Sequence, residues 1–122
     1  MTKRILAVVD DMFFASKIRA VAESVGSDLA FTRSLDALIE KAREKRPDLI
    51  VVDLHNQKTS PISIAQQLRS DPELKDVHLL GFFSHVEVEL QRQAKEAGYS
   101  QVLPRSVFAR DLPSILGDVS QQ

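Results

Sequence analysis

Cysteine is absent from the sequence, and this absence excludes a disulfide framework and any metal site built on thiolates. No apolar run approaches the roughly 20 residues that a membrane-spanning helix needs. The apolar stretch nearest the N-terminus, Ile5–Val9, is followed at once by two acids, so it is not a signal peptide. A reducing, cytoplasmic location is therefore expected.

An excess of charge of one sign is also missing. The 16 Lys and Arg residues nearly balance the 17 Asp and Glu residues. Direct binding to nucleic acid is not expected without a basic excess. The 122 residues are enough for one core and too few for two typical domains. We expect one domain that spans residues 1–122, either as a stand-alone protein or as a piece of a longer one.

Short β-branched runs alternate with longer amphipathic stretches along the chain, which predicts five strands and five helices. The predicted strands are Arg4–Val9, Leu29–Thr32, Leu49–Leu54, His78–Phe83 and Gln101–Leu103. The predicted helices are Phe13–Val25, Leu35–Lys45, one that begins at Pro61, Val86–Ala97 and Ala109–Val119. Most strands are apolar throughout, as strands covered on both faces are. We therefore predict an α/β fold, a flavodoxin-like three-layer α/β/α sandwich with a five-stranded parallel sheet in the order 2-1-3-4-5.

Acidic residues follow two of these strands. Asp10 and Asp11 come after the first strand, and Asp53 follows the apolar run of the third. Ligands of such sheets bind beyond the carboxyl ends of the strands, where these carboxylates should converge. Their repulsion is relieved by protonation or by a cation, and oxygen ligands favour Mg²⁺. The alternative is that Asp10 caps the first helix and Asp11 is merely solvated.

Three stretches carry a resemblance to a known family: "RILAVVDD", "RPDLIVVDL" and "AKEAGYSQVLPRS". Over essentially its whole length the chain resembles a response-regulator receiver domain of the CheY-like type. The resemblance implies that Asp53 accepts a phosphoryl group from a histidine kinase. It also implies a Mg²⁺ site whose ligands are the carboxylates of Asp10, Asp11 and Asp53 and the backbone carbonyl of His55.

The sequence departs from the family at the positions that read the phosphate. Phe83 stands where the family has its switch Ser or Thr, and a phenyl ring cannot donate a hydroxyl hydrogen bond. Ser84 is adjacent and would replace that hydroxyl if the strand ended or bulged there. Val102 stands where many relatives carry the aromatic partner of the switch. Arg105 stands at the family's lysine and keeps the charge that meets a phosphate oxygen, while Pro104 precedes it instead of following it.

Two hypotheses about function follow from the resemblance. In the first, the chain is a phosphorylatable signalling domain, and not an enzyme beyond its own phosphorylation and dephosphorylation. Its partners are then a histidine kinase or phosphotransfer protein and a downstream protein, and a homodimer is possible. In the second, it is an atypical receiver that binds partners regardless of phosphate. Under both hypotheses the expected contact residues are Val88, Leu90, Gln101 and Arg110.

A third hypothesis makes the chain a flavin- or nucleotide-binding enzyme with the same architecture, because fold alone does not assign function. Such enzymes hold phosphate groups with backbone amides in the first loop after a strand. Here that loop carries "DDMFFAS", and its two acids would repel a phosphate unless a metal ion intervened. The loop therefore argues against this hypothesis.

Overall fold

In a computed structural model, which describes residues 2–56 and 58–117, five parallel strands form one sheet in the order β2-β1-β3-β4-β5. The strands are β1 Arg4–Val8, β2 Asp28–Phe31, β3 Leu49–Asp53, β4 His78–Phe83 and β5 Gln101–Pro104. The predicted fold class and strand order are confirmed. None of the helices among these residues is both long and apolar enough to span a bilayer.

Six helices, not the predicted five, are found in the described residues. They are α1 Met12–Val25, α2 Leu35–Glu44, α3 Pro61–Arg69, α4 Val88–Ala97, α5 Arg105–Arg110 and α6 Leu112–Leu116. The predicted last helix, Ala109–Val119, is wrong at its start. α5 begins directly after β5. The helix is interrupted at Asp111 because Pro113, in the first turn of α6, has no N–H with which to continue it. Val119 lies outside the described residues.

Side chains alternate between the two faces of the sheet, and each face is covered by its own helices. Within β1, Leu6 and Val8 join a buried cluster with α2, α3 and α4, whereas Ile5 and Ala7 join one with α1, α5 and α6. We call these the α4 face and the α1 face. Because both faces are covered, the strands are apolar throughout and the carboxyl edge of the sheet is left for polar residues.

Candidate functional site

Asp53 is the last residue of β3, so it lies at the carboxyl edge of the sheet with β1 and β4 on either side. Its Oδ1 accepts a hydrogen bond from the backbone N–H of His55 at 2.9 Å. Burial raises the pKa of Asp53 above its usual value and Asp11 adds to this, whereas the His55 amide and the charge of Arg105 oppose it. Within residues 2–56 and 58–117 no group donates a hydrogen bond to Oδ2. One oxygen is therefore held in place, and the other is left for chemistry.

Asp11 is the N-cap residue of α1. Its Oδ1 accepts hydrogen bonds from the backbone N–H groups of Phe13 at 3.0 Å and Phe14 at 3.1 Å. The Phe14 amide, and after it the Arg105 guanidinium, lower the pKa of Asp11, although burial opposes them. The alternative in which Asp10 caps the helix is wrong, because α1 begins at Met12 and the residue directly before it reaches the free amides of the first turn.

Arg105 reaches the acids from the far side of the sheet. It is the first residue of α5 and follows Pro104, the last residue of β5. β5 is an edge strand, and α5 covers the same face of the sheet as α1, so the side chain meets the start of α1 on that face. Its Nη2 lies 3.1 Å from Asp11 Oδ2, and its Cζ lies 4.2 Å from the centroid of the Phe14 ring. An open groove of about 470 Å³ beside this contact is lined by Phe13, Phe14, Lys17, Arg105, Ser106 and Ala109.

The predicted ion ligands agree with Mg²⁺ in donor type, because carboxylate and carbonyl oxygens are what this ion prefers. Nevertheless, in the part of the chain that the structure describes, no three His, Asp or Glu side chains are grouped so that they could hold a metal ion. Asp10 Oδ1 lies 3.7 Å from Lys58 Nζ, and Asp11 Oδ2 pairs with Arg105. The donor chemistry fits the ion, but two of the three carboxylates already face a cation of the protein.

Phe83 and Val102, the two positions predicted to form the switch, contribute to the core. Phe83 ends β4 and is only 7% exposed, inside the buried cluster of the α4 face. Val102 is partly buried against the same cluster. Ser84 lies just beyond the end of the strand and is exposed. The ring of Phe83, the predicted switch position, is therefore part of the apolar core.

Gly81 leaves room behind Phe83 for two larger side chains. A Cβ at this position would lie 2.8 Å from Leu54 Cδ2 and 3.0 Å from Tyr99 Cδ2. The Tyr99 hydroxyl donates a hydrogen bond to the Pro61 carbonyl at 2.8 Å, and burial raises the pKa of this hydroxyl. We call Leu54, Gly81, Phe83 and Tyr99 the closed cluster.

The four predicted partner-contact residues lie on α4, β5 and α5. Val88 is 76% exposed, whereas Leu90 is partly buried against the core of the α4 face. The side-chain Oε1 of Gln101 lies 3.0 Å from His78 Nε2. Arg110 pairs with Asp111 on the surface, with 2.9 Å between Nε and Oδ1. All four belong to consecutive elements at one side of the sheet.

Sequence reasoning missed three residues near the acids. Phe14 supports Arg105 and Lys58 faces Asp10. The third is His85, whose backbone N–H donates to His55 Nε2 at 3.3 Å, with the two imidazole rings 5.4 Å apart. Each contact joins segments that are far apart in the sequence, so no local pattern could have shown it.

No protein-family model matches the sequence. The polar-differentiation response regulator DivK of Brucella ovis is 27% identical over 122 residues, which cover 97% of this chain and 99% of that protein. The chemotaxis response regulator CheY4 of Vibrio cholerae has a similar structure, with a TM-score of 0.82, 17% identity, and coverage of 95% of this chain and 97% of that one. The Mn²⁺-bound form of the response regulator Rcp1 has a TM-score of 0.78 and 17% identity, over 93% of this chain and 91% of that one.

The resemblance read from the three sequence stretches is confirmed by these comparisons. Similarity to DivK extends over nearly the whole of both sequences, and the fold is that of the CheY-like neighbours. The departures at Phe83 and Arg105 remain features of this chain. The chain is thus similar to response regulators over nearly its whole length, and it has the fold of CheY-like receiver domains.

Proposed function

We propose that Asp53 is the phosphoryl acceptor of this receiver and that the donor is a phosphohistidine of a histidine kinase or phosphotransfer protein. The main support for the proposal is the arrangement of hydrogen bonds around the Asp53 carboxyl group. Oδ1 is oriented by the His55 amide, and no described group donates to Oδ2. DivK, to which the chain is similar, is named a response regulator. This similarity also supports the phosphorylatable signalling domain over the phosphate-independent interaction module.

In the proposed reaction, Asp53 Oδ2 attacks the phosphorus atom of the phosphohistidine. The new O–P bond forms as the P–N bond breaks, and the leaving imidazole takes the bonding pair and then a proton. The attacking oxygen must be ionised. Because the pKa of Asp53 is raised, the lowest pH at which the reaction proceeds should also be raised. Arg105 and Ser84 are the proposed contacts of the transferred phosphoryl group.

A divalent ion, which we propose is Mg²⁺, would be held by the carboxylates of Asp10, Asp11 and Asp53 and by the backbone carbonyl of His55. When bound, the ion would neutralise charge on the transferring oxygens. Support comes from the oxygen donor set and from the Mn²⁺-bound form of the structural neighbour Rcp1. The residues of the chain itself orient Asp53 through the His55 amide and place Arg105 at the edge where the phosphoryl group would arrive.

The output that we propose is a change in protein binding, and the protein acts in the cytoplasm as a signalling domain and not as a metabolic enzyme. The surface formed by α4, β5 and α5 at the β5 edge of the sheet would contact the downstream partner. Two copies of the chain would pair through the same surface. Val88 supports this assignment, because it is one of four large apolar side chains that are exposed among the described residues. Direct contact with nucleic acid is not part of the proposal.

Intact-mass spectrometry after incubation with Mg²⁺ and a small acyl phosphate tests the acceptor. The wild type should gain the mass of one phosphoryl group, and Asp53→Asn should gain none. Asp36→Asn, which changes an exposed aspartate on α2, is the matched control and should behave as the wild type does. A gain that persists in Asp53→Asn, or no gain in the wild type, would show that Asp53 is not the acceptor.

A further inference from the structure

The Arg105 guanidinium is held by two groups at the same end of α1. Asp11 Oδ2 lies 3.1 Å from its Nη2, and the Phe14 ring lies under its Cζ at 4.2 Å. Asp11 caps α1 and Phe14 is 5% exposed within the core of the α1 face, so neither group is free to move away. A planar guanidinium can stack on a ring while it donates at its edge, which an ammonium cannot do in the same way.

Both carboxylate oxygens of Asp11 are engaged in polar contacts. Oδ1 accepts from the two amides of the first helical turn, and Oδ2 pairs with Arg105. A divalent ion that approaches Oδ2 therefore meets the positive charge of Arg105 and must either displace it or bind beside it. Displacement costs the ion pair and also the stacking on Phe14.

We propose that Phe14 and Arg105 act as one unit that keeps an internal cation on Asp11 and thereby weakens divalent-ion binding at the acid cluster. The inference rests on the proposed ion site and extends it to two residues. Phe14 is a positioning residue in this unit, because it acts on the ion only through Arg105.

Titration with Mg²⁺ alone, followed by the backbone amide NMR signals of Asp10, Asp11 and His55, measures the affinity without any phosphoryl donor. Arg105→Gln should bind Mg²⁺ about fivefold more tightly than the wild type, the factor expected for an exposed ion pair. Arg105→Lys and Phe14→Leu should fall between these two, because each keeps the charge and loses the stacking. Lys17→Gln is the matched control, because Lys17 lines the same groove and its loss should leave the affinity unchanged.

Equal affinities for Arg105→Gln and the wild type would overturn the proposal. An equal gain in Lys17→Gln would also overturn it, because the effect would then reflect net charge and not the contact with Asp11. Phe14→Leu removes part of a buried ring and is expected to lower stability, so Arg105→Lys tests the stacking independently on a partly exposed side chain. Mass spectrometry of the same variants separates the two ideas: a wild type that takes no phosphoryl group while the affinities change as expected refutes the acceptor role and leaves the Phe14–Arg105 unit standing.

Discussion

On the α1 face, the acid edge of the sheet meets charged side chains that are partly exposed, whereas on the α4 face it is backed by closed apolar packing. Arg105 and Asp11 pair above the Phe14 ring, and each side chain is 37% exposed. On the other face, Phe83 and Tyr99 are 7% and 6% exposed. The two faces of the sheet thus differ beside the strand that ends at Asp53: one carries a partly exposed ion pair and the other carries closed apolar packing.

The charged groups proposed for phosphoryl transfer and the residues predicted to respond to phosphate therefore lie in different surroundings. Asp11 and Arg105 lie at the starts of α1 and α5, and these are the charged groups that the proposed phosphoryl transfer would use beside Asp53. On the α4 face the closed cluster has no hydroxyl at the position of Phe83. In the proposed reaction, a phosphoryl group on Asp53 would meet the charge of Arg105 at the start of α5 and the hydroxyl of Ser84 just beyond the end of β4.

The largest effect is expected from Phe82→Ala, which would break the packing of the α1 face. The Phe82 ring stacks on Phe108 with 4.8 Å between centroids and lies 5.1 Å from the Phe14 ring. Its removal should lower the free energy of unfolding by about 3–5 kcal/mol, measured by urea denaturation. Phe13→Ala is the control: Phe13 is 90% exposed, so its loss should change stability by less than about 0.5 kcal/mol. Similar losses in both variants would contradict the described packing.

Gly81→Ala should overpack the closed cluster. The new Cβ would meet Leu54 and the Tyr99 ring at distances that real contacts avoid. Leu54 is buried and Tyr99 is held by its hydrogen bond to Pro61, so neither can move without cost. We expect a loss of about 1–3 kcal/mol in the same denaturation assay. Combined with Leu54→Ala, the cost should be smaller than the sum of the two single changes, and strict additivity would argue against the contact.

Tyr99→Phe should sharpen the comparison by changing one atom of the closed cluster. The hydroxyl donates to the Pro61 carbonyl at the start of α3, and its loss removes this buried hydrogen bond. A decrease of about 1 kcal/mol in the free energy of unfolding is expected. Phosphorylation of Asp53 should be unaffected, because Tyr99 acts on the α4 face. A change in the phosphorylation rate without a change in stability would contradict this division.

The smallest effect on stability concerns the titration of the two acids. Burial raises the pKa of Asp53, and the cap and Arg105 lower that of Asp11, so Asp53 should gain a proton at a higher pH than Asp11 does. As the pH falls, protonation of Asp53 removes an unfavourable buried charge, whereas protonation of Asp11 loses a stabilising one. Carboxyl ¹³C NMR can assign both titrations, and the phosphorylation rate should fall together with ionised Asp53. Titration of the two acids in the reverse order would contradict the described contacts.

The strands and most helices could be predicted because their signals are local. Apolar runs mark β1 and β3, and Ser34 and Ser60 cap α2 and α3 with side-chain hydrogen bonds of 3.1 Å and 3.2 Å. The last helix was misplaced because its start depends on how β5 ends, and the apolar residues after Pro104 are also compatible with a longer loop. The choice between Asp10 and Asp11 as the cap depended on a single residue in the start of α1.

Three features could be predicted without the structure: the fold class, the strand order expected of the family and the position of Asp53 at a strand end. Periodicity along the chain and short motifs are enough to predict them. Only the tertiary structure decided which cation each acid faces and which way each phenyl ring packs. Arg105 is 94 residues from Asp11 in the sequence. Whether its guanidinium lies on Asp11, on Asp53 or in solvent depends on the Phe14 ring and on the width of the sheet, because side-chain partners are set by distance in space and not by order along the chain.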